Sequence, residues 1–254
     1  MKVIILGSGT AIPMNDRGSP SLALFVDDRP ILFDMGPGTL GRMARLGMGP
    51  EKIEEIFLTH FHPDHTADLI HFLFACRNPD ILKKRSPFLI SGPSGLRKFI
   101  KALQSAYPDW LNYPSETMQI EELSSTENGE KNHGHYRIKT APTNHTPRSL
   151  AYRIKDNAGK TVVISGDTGF CAPVIQLAKE ADVLVLEAAF PDSDPVEGHL
   201  TPSLAGRMAR LAGVKHLVLT HFYPECLKTD IAAQCRRAWH GELTLAEDLL
   251  QISI

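Results

Sequence analysis

Thr59-His60-Phe61-His62-Pro63-Asp64-His65 sets four side chains able to ligate a metal within six positions, directly after the apolar run Ile56-Phe57-Leu58. On extended backbone, residues two apart share a face, so His60 and His62 converge on one point. Pro63 drives the residue before it toward extended backbone and suits the first turn of a helix, so Asp64 and His65 sit where the chain turns inward. They face a second point. Imidazole and carboxylate ligands suit zinc, and two ions about 3.5–4 Å apart can hold an attacking hydroxide between them.

Working outward, the N-terminal third reads as strands at Lys2 to Leu6, Ser21 to Val26 and Ile31 to Asp34, with a Gly/Ser/Pro/Asn loop from Gly7 to Pro20. Thr39 to Leu46 has helical spacing and stops at Gly47, Glu55 to Thr59 returns to strand character, and a helix is expected after His65. Pro87 to Ser91 reads as a strand leading into a helix from Gly95 to Ser105, and Ser124 to Gly134 as a hairpin tip or loop. In the second half strands are expected at Tyr136 to Thr140, Ser149 to Lys155, Thr161 to Ser165, Val183 to Glu187 and His216 to Thr220. Helices are expected at Pro173 to Lys179, Thr201 to Leu211 and Thr229 to Ala238. One internal echo, Leu58-Thr59-His60-Phe61-His62-Pro63-Asp64 against Leu219-Thr220-His221-Phe222-Tyr223-Pro224-Glu225, follows an apolar strand each time and suggests two half-domains of related design. Two β-layers flanked by helices follow from that reading.

The 254 residues are enough to bury a substantial core, and one domain over 1–254 is the expectation. A net charge of −2 lacks the overall electrostatic footprint of a dedicated nucleic-acid binder. The basic clusters Lys83, Lys84, Arg85 and Arg207, Arg210, Arg236, Arg237 read as solvated helix faces and loops. Four cysteines without a C-x-x-C pair argue against a disulfide framework and fit a reducing cytoplasm. No apolar stretch approaches a membrane span, and Val3 to Leu6 is too short for a signal-peptide core, so no membrane partner is expected.

The run from His60 to His65 reproduces the H-x-H-x-D-H signature of the metallo-β-lactamase superfamily, which the chain resembles over nearly its whole length. Later motifs have counterparts in the family's order: His145 in Thr143-Asn144-His145-Thr146, Asp167 in Ser165-Gly166-Asp167-Thr168 and His221 in Thr220-His221-Phe222. The resemblance implies an α/β fold, a four-layer αββα sandwich with its site at one edge between the β-layers. It implies two divalent ions, zinc with manganese as the alternative: one on His60, His62 and His145, the other on Asp64, His65 and His221, with Asp167 bridging. Asp34 matches a family aspartate that orients a ligand imidazole, whereas read locally it is an Asx-type cap before Gly36.

Within the superfamily the likeness is to the ribonuclease Z and phosphodiesterase branch. It rests on Leu6-Gly7-Ser8-Gly9-Thr10-Ala11-Ile12-Pro13, Asp34-Met35-Gly36-Pro37-Gly38-Thr39, Leu186-Glu187-Ala188-Ala189-Phe190 and Gly198-His199-Leu200-Thr201. The branch implies phosphodiester cleavage by a metal-bridged hydroxide, with His199 serving the leaving group, Glu187 holding His199, and Asp64 orienting water as well as binding metal. One departure matters. Ribonuclease Z inserts a long basic arm that grips transfer RNA between the third histidine motif and the bridging aspartate, and here His145 to Asp167 spans 22 positions, mostly filled by two strands. A general or small-molecule phosphodiesterase is therefore expected ahead of transfer RNA 3′-processing, with RNA not favoured and a homodimer implied by related enzymes. Lactone or carboxyl-ester hydrolysis is the alternative of another class, since a bimetal hydroxide attacks carbonyl carbon equally well. The stretch from Ile70 to Glu130 reads as insertion-like, with Phe72, Phe74, Tyr107, Trp110 and Tyr113 as candidate pocket walls.

Overall fold

Fourteen strands and nine short helices are present in the computed structural model, which describes residues 1–124 and 130–254. The strands of the first half are β1 (Lys2–Gly7), β2 (Ser21–Val26), β3 (Arg29–Phe33), β4 (Glu55–Phe57), β5 (Phe88–Pro93) and β6 (Met118–Leu123). The second half supplies β7 (Lys131–Asn132), β8 (Tyr136–Pro142), β9 (Leu150–Asp156), β10 (Thr161–Ile164), β11 (Val183–Glu187), β12 (His216–Thr220), β13 (Glu242–Leu245) and β14 (Gln251–Ser253). The helices are α1 (Thr39–Arg45), α2 (Pro63–Thr66), α3 (Asp68–Ala75), α4 (Pro79–Leu82), α5 (Leu96–Ala106), α6 (Ala172–Leu177), α7 (Pro202–Ala212), α8 (Pro224–Leu227) and α9 (Ile231–Arg236).

One sheet runs β14-β1-β2-β3-β4-β5-β6 and the other β13-β12-β11-β10-β9-β8-β7. Both follow the same rule. In each, four strands pair antiparallel and the pairs beyond them are parallel: β14 to β3 then β3 to β6 in one, β7 to β10 then β10 to β13 in the other. The parallel strands read as near-continuous apolar runs because both of their faces are covered. β10 and β11, TVVI and VLVLE, are buried throughout.

Three apolar layers make the αββα sandwich. Between the sheets, Phe33 stacks on Phe57 with ring centroids 5.3 Å apart, and both meet the edge of Tyr152 from the opposite sheet. Outside the first sheet Leu32, Ile56, Phe72, Leu73 and Ile100 pack under α3 and α5, and outside the second Leu184, Leu217, Met208 and Trp239 pack under α7 and α9. Burying a side chain of this kind contributes about 1.5–3 kcal/mol, so the layers hold the strand ends in place against the entropy of ordering them.

The two-half expectation holds at the level of strand pattern, but the sequence echo does not map onto it. By position in the sheets β4 corresponds to β11, and β12 to β5. His60 and His221 thus lie beyond strands that are not counterparts. Three strands have no reading in the sequence: β6, whose MQIEEL pattern is half polar, and the edge strands β13 and β14. The expected helix after His65 is two, α2 and α3, meeting at Ala67.

The Ile70 to Glu130 stretch is sheet and flanking helix, supplying β5, α5 and β6. Phe72 is fully buried beneath α3, and Tyr113 donates its hydroxyl to Leu73 O. Phe74, Tyr107 and Trp110 are exposed, with Phe74 and Trp110 edge to face at 5.4 Å. Residues 125–129 of the expected loop lie outside the described residues, while Lys131 and Asn132 form β7. The β9–β10 connection is residues 157–160, leaving no room for an arm. Among the described residues no helix is long and apolar enough to cross a membrane.

Close approach of α7 and α9 gives the fold's own test. A Cβ built on Gly206 would lie 2.7 Å from the backbone oxygen of Cys235 and 3.2 Å from Trp239 Cβ. Gly206→Val should lower the free energy of unfolding by about 1–3 kcal/mol or more through overpacking. Urea denaturation checks this, and a variant as stable as wild type would mean that α9 moves aside freely.

Candidate metal centre

Apart from His65, every buried residue of the centre sits where a strand ends. Asp34 follows β3, Thr59 and His60 follow β4, Asp167 follows β10, Glu187 closes β11 and His221 follows β12. His145 precedes β9, and Asp64 and His65 lie in α2, whose first residue is Pro63. Parallel strands bring their carboxyl ends to one edge, so residues far apart in sequence meet there.

Two sets of donor atoms converge on one carboxylate. Asp167 Oδ2 lies 3.7 Å from His60 Nε2 and 3.6 Å from His145 Nε2, and His145 Nε2 is 3.2 Å from His62 Nδ1. Asp167 Oδ1 lies 3.1 Å from His65 Nε2 and 3.3 Å from His221 Nε2. Asp64 Oδ2 is 3.8 Å from both of those nitrogens. The seven residues expected from sequence as ligands are therefore brought together in two groups that share Asp167. His62 is exposed and His145 half-buried, while Asp167, His60, His65 and His221 are buried, so the centre opens on one side.

A cation fits these residues. His60 Nε2 and Asp167 Oδ1 are buried without an aligned hydrogen bond, and buried polar atoms of that kind are costly unless something else satisfies them. Imidazole nitrogen with carboxylate oxygen is the donor chemistry that holds divalent transition metals. Burial pushes the His60 imidazole down, toward its neutral, ligating form, and neighbouring His65 adds to that shift. Burial would also lower His65, but the charges of Asp167 and Asp34 more than reverse it and hold its proton well above the usual range. Burial would raise Asp167; His221 and His65 outweigh it and hold the carboxyl well below its usual range.

The outer contacts set the rings. Asp34, at φ 57°, stands in left-handed backbone that a non-glycine residue rarely adopts. Its Oδ2 accepts from His65 Nδ1 at 2.7 Å, and its Oδ1 accepts the Thr59 amide at 2.8 Å. Asp34 thus holds the His65 imidazole instead of capping a turn at Gly36. His145 Nδ1 donates to Gly198 O at 3.0 Å, leaving Nε2 for the centre. His199 Nδ1 donates to Glu187 Oε1 at 2.9 Å, and the buried Glu187 also accepts the amides of Thr168, Ala189 and Leu200. One ring nitrogen of His199 lies within 4.8 Å of donor atoms of both Asp167 and His221. Burial would lower the His199 pKa; its hydrogen bond and the charge of Glu187 raise it instead.

Thr59, Gly198 and Tyr223 belong to the site and have no reading in the sequence as functional residues. Tyr223 stacks on Phe190 at 4.6 Å and meets His221 edge-on at 5.9 Å. Its signal was the echo itself, in which Tyr223 stands where His62 does.

A family model described as a β-lactamase superfamily domain matches residues 29–222. Ribonuclease Z of Mycobacterium bovis (strain BCG / Pasteur 1173P2) is 30% identical, covering 100% of this chain and 98% of that protein. The crystal structure of human tRNase Z, short form, superposes with a TM-score of 0.80 at 29% identity, covering 100% of this chain and 99% of that one. The metallo-β-lactamase fold protein YhfI from Bacillus subtilis superposes with a TM-score of 0.86 at 23% identity, covering 99% of each chain, and shares the fold.

A cation bound only by the folded protein stabilises it by mass action. Zinc should therefore raise the melting temperature of chelator-treated protein, and Asp167→Ala should lose most of that rise. Differential scanning calorimetry with and without zinc checks this; an equal rise in both proteins would show that Asp167 is not at the centre of the site.

Proposed function

The chain belongs to the β-lactamase superfamily and is a metal-dependent hydrolase, and from that footing we propose that it hydrolyses phosphodiester bonds at two zinc-type ions. In this reading His60, His62 and His145 hold one ion, Asp64, His65 and His221 the other, and the two oxygens of Asp167 serve both. Manganese is the alternative occupant. When bound, such ions act as Lewis acids on a phosphoryl group and lower the pKa of water.

The observation that carries the phosphodiester reading is the Glu187–His199 pair. Glu187 is 1% exposed and held by three backbone amides, so its position is set before any substrate arrives. It fixes His199 through Nδ1 and favours the imidazolium, leaving Nε2–H as a donor facing the centre. An alkoxide leaving phosphorus needs a proton, and a positioned imidazolium can give it. Asp64, half-buried beside His65 and His221, is placed to orient the attacking water.

A second reading, cleavage of an RNA precursor, is favoured by the ribonuclease Z relatives and by a groove of about 440 Å³ between α7 and α9. Arg207, Arg210, Arg237 and His240 line it without an acidic residue among the lining. Arg207 lies over the ring of Phe170, which is three residues along the chain from Asp167, at 5.0 Å. The short β9–β10 connection keeps the general phosphodiesterase ahead of this reading. Activity of the zinc- and manganese-loaded protein on an aryl phosphodiester, a cyclic nucleotide, an acyl lactone and a precursor transfer RNA separates these classes and ester hydrolysis from one another.

Two outcomes are expected. His199→Ala should slow an alkyl phosphodiester about 10²–10⁴-fold in kcat and an aryl diester far less, because a phenolate departs with little help from a proton. Equal losses on both substrates would remove the leaving-group role. Arg207→Glu with Arg210→Glu should leave aryl diester turnover near wild type; a selective loss of precursor transfer RNA cleavage, with a shallower salt dependence, would establish the groove as a phosphate-backbone contact. Identical losses on the two substrates would instead indicate damage to the Asp167 loop through Phe170.

A further inference from the structure

Thr59 is fully buried and its hydroxyl touches two groups at once: Asp34 Oδ2 at 2.8 Å and His60 Nδ1 at 2.9 Å. A hydroxyl has one proton to donate, and a carboxylate oxygen only accepts. The Thr59 proton therefore goes to Asp34, and His60 Nδ1 must be the donor to Thr59 Oγ1. That fixes the His60 tautomer, with the lone pair on Nε2, the atom that lies 3.7 Å from Asp167 Oδ2. Asp34 Oδ2 also accepts from His65 Nδ1 at 2.7 Å. One carboxylate oxygen thus ends two chains of hydrogen bonds, one direct and one through Thr59.

We propose that Thr59 is a positioning residue whose hydroxyl extends the reach of Asp34 from His65 to His60, so that a single buried carboxylate sets the ligating nitrogen in both donor groups. The inference rests on the two-group metal reading given above. Packing keeps the hydroxyl in place. Gly166, at φ +60°, has no side chain, and a Cβ there would come within 2.6–2.8 Å of Thr59 Cβ, Cγ2 and Oγ1. Thr59 O in turn accepts the Leu150 amide at 2.9 Å, so the residue is held from β9 and from the Asp167 loop alike.

The corresponding position in the sequence echo supplies a control. Thr220 precedes His221 as Thr59 precedes His60, yet His221 Nδ1 is buried without a hydrogen-bond partner among the described residues. No relay of this kind serves His221.

The test uses the full chain and zinc. In metal-free, ¹⁵N-histidine-labelled wild type, two-bond nitrogen–proton spectra should show His60, assigned by its loss in His60→Gln, as the Nδ1–H tautomer. Finding Nε2–H instead would overturn the proposal. In zinc competition with a chromophoric chelator, Thr59→Val should bind at least one ion about 10–100-fold more weakly, the size usual for loss of a ligand's hydrogen-bond partner. Thr59→Ser, which keeps the hydroxyl, and Thr220→Val should bind as wild type does. Wild-type affinity in Thr59→Val, or a Thr59→Ser variant as weak as Thr59→Val, would overturn the proposal, the latter by assigning the effect to packing on Gly166. Failure of wild type to take up zinc would sink the metal reading alone, since the tautomer is measured without metal.

Discussion

Burial of the Asp167 carboxylate among four imidazoles is the constraint on which this end of the molecule depends. An ion of that kind taken out of water costs several kcal/mol unless it is paired, and a group of neutral imidazoles pairs it poorly. The charges of Asp167 and Asp34 answer this by holding a proton on His65, which lies between them. A divalent cation held by these residues would do the same work with more charge, in the place of that proton, so its uptake would release protons. The same burial that makes an unpaired carboxylate costly is what a cation held there would offset.

The fold meets this constraint by assigning each element one short, rigid task. β3, β4, β10, β11 and β12 each end at the same edge and deliver one or two polar residues to it, while their apolar runs are locked between the sheets and under the helices. The functional residues then reach inward from backbone that cannot easily adjust. Asp34 and His221 both occupy left-handed backbone, at φ 57° and 62°, a conformation costing about 1–3 kcal/mol for a non-glycine residue. The strand layers supply the stability that holds them there. The C-terminal segment closes the arrangement: Asp248 accepts the amides of Ser8 and Gly18 and fastens the loop from Gly7 to Pro20 beside β14.

What was legible in the sequence was what is local. His60, His62, Asp64 and His65 are decided by the backbone geometry of seven consecutive residues, and β2, β11 and β12 show their periodicity without reference to partners. The family resemblance then located His145, Asp167, His221, Glu187 and His199, and the structure brings all of them to one place. The rest was hidden for identifiable reasons. β6, β13 and β14 exist because a neighbouring strand accepts them, and β13 and β14, at four and three residues, are too short for their alternation to stand out. Gly198 acts through a backbone carbonyl, which no side-chain pattern reports. The echo between Thr59-His60 and Thr220-His221 overstated the symmetry, since the likeness is in turn chemistry, with Pro63 and Pro224 each opening a helix, and not in sheet position.

The division between buried and open residues of the centre also bears on specificity. The residues that pair with Asp167 from below are closed to solvent, whereas His62, His145 and His199 form the open side that a substrate meets first. Closed residues set the charge and the geometry of the centre and offer little that distinguishes one substrate from another. Discrimination must then come from the loops around the opening: Gly7 to Pro20, the segment from Phe190 to His199, and the α7–α9 groove behind Phe170. With residues 157–160 too short to reach a distant part of a macromolecule, contacts beyond the centre fall to those loops and to that groove.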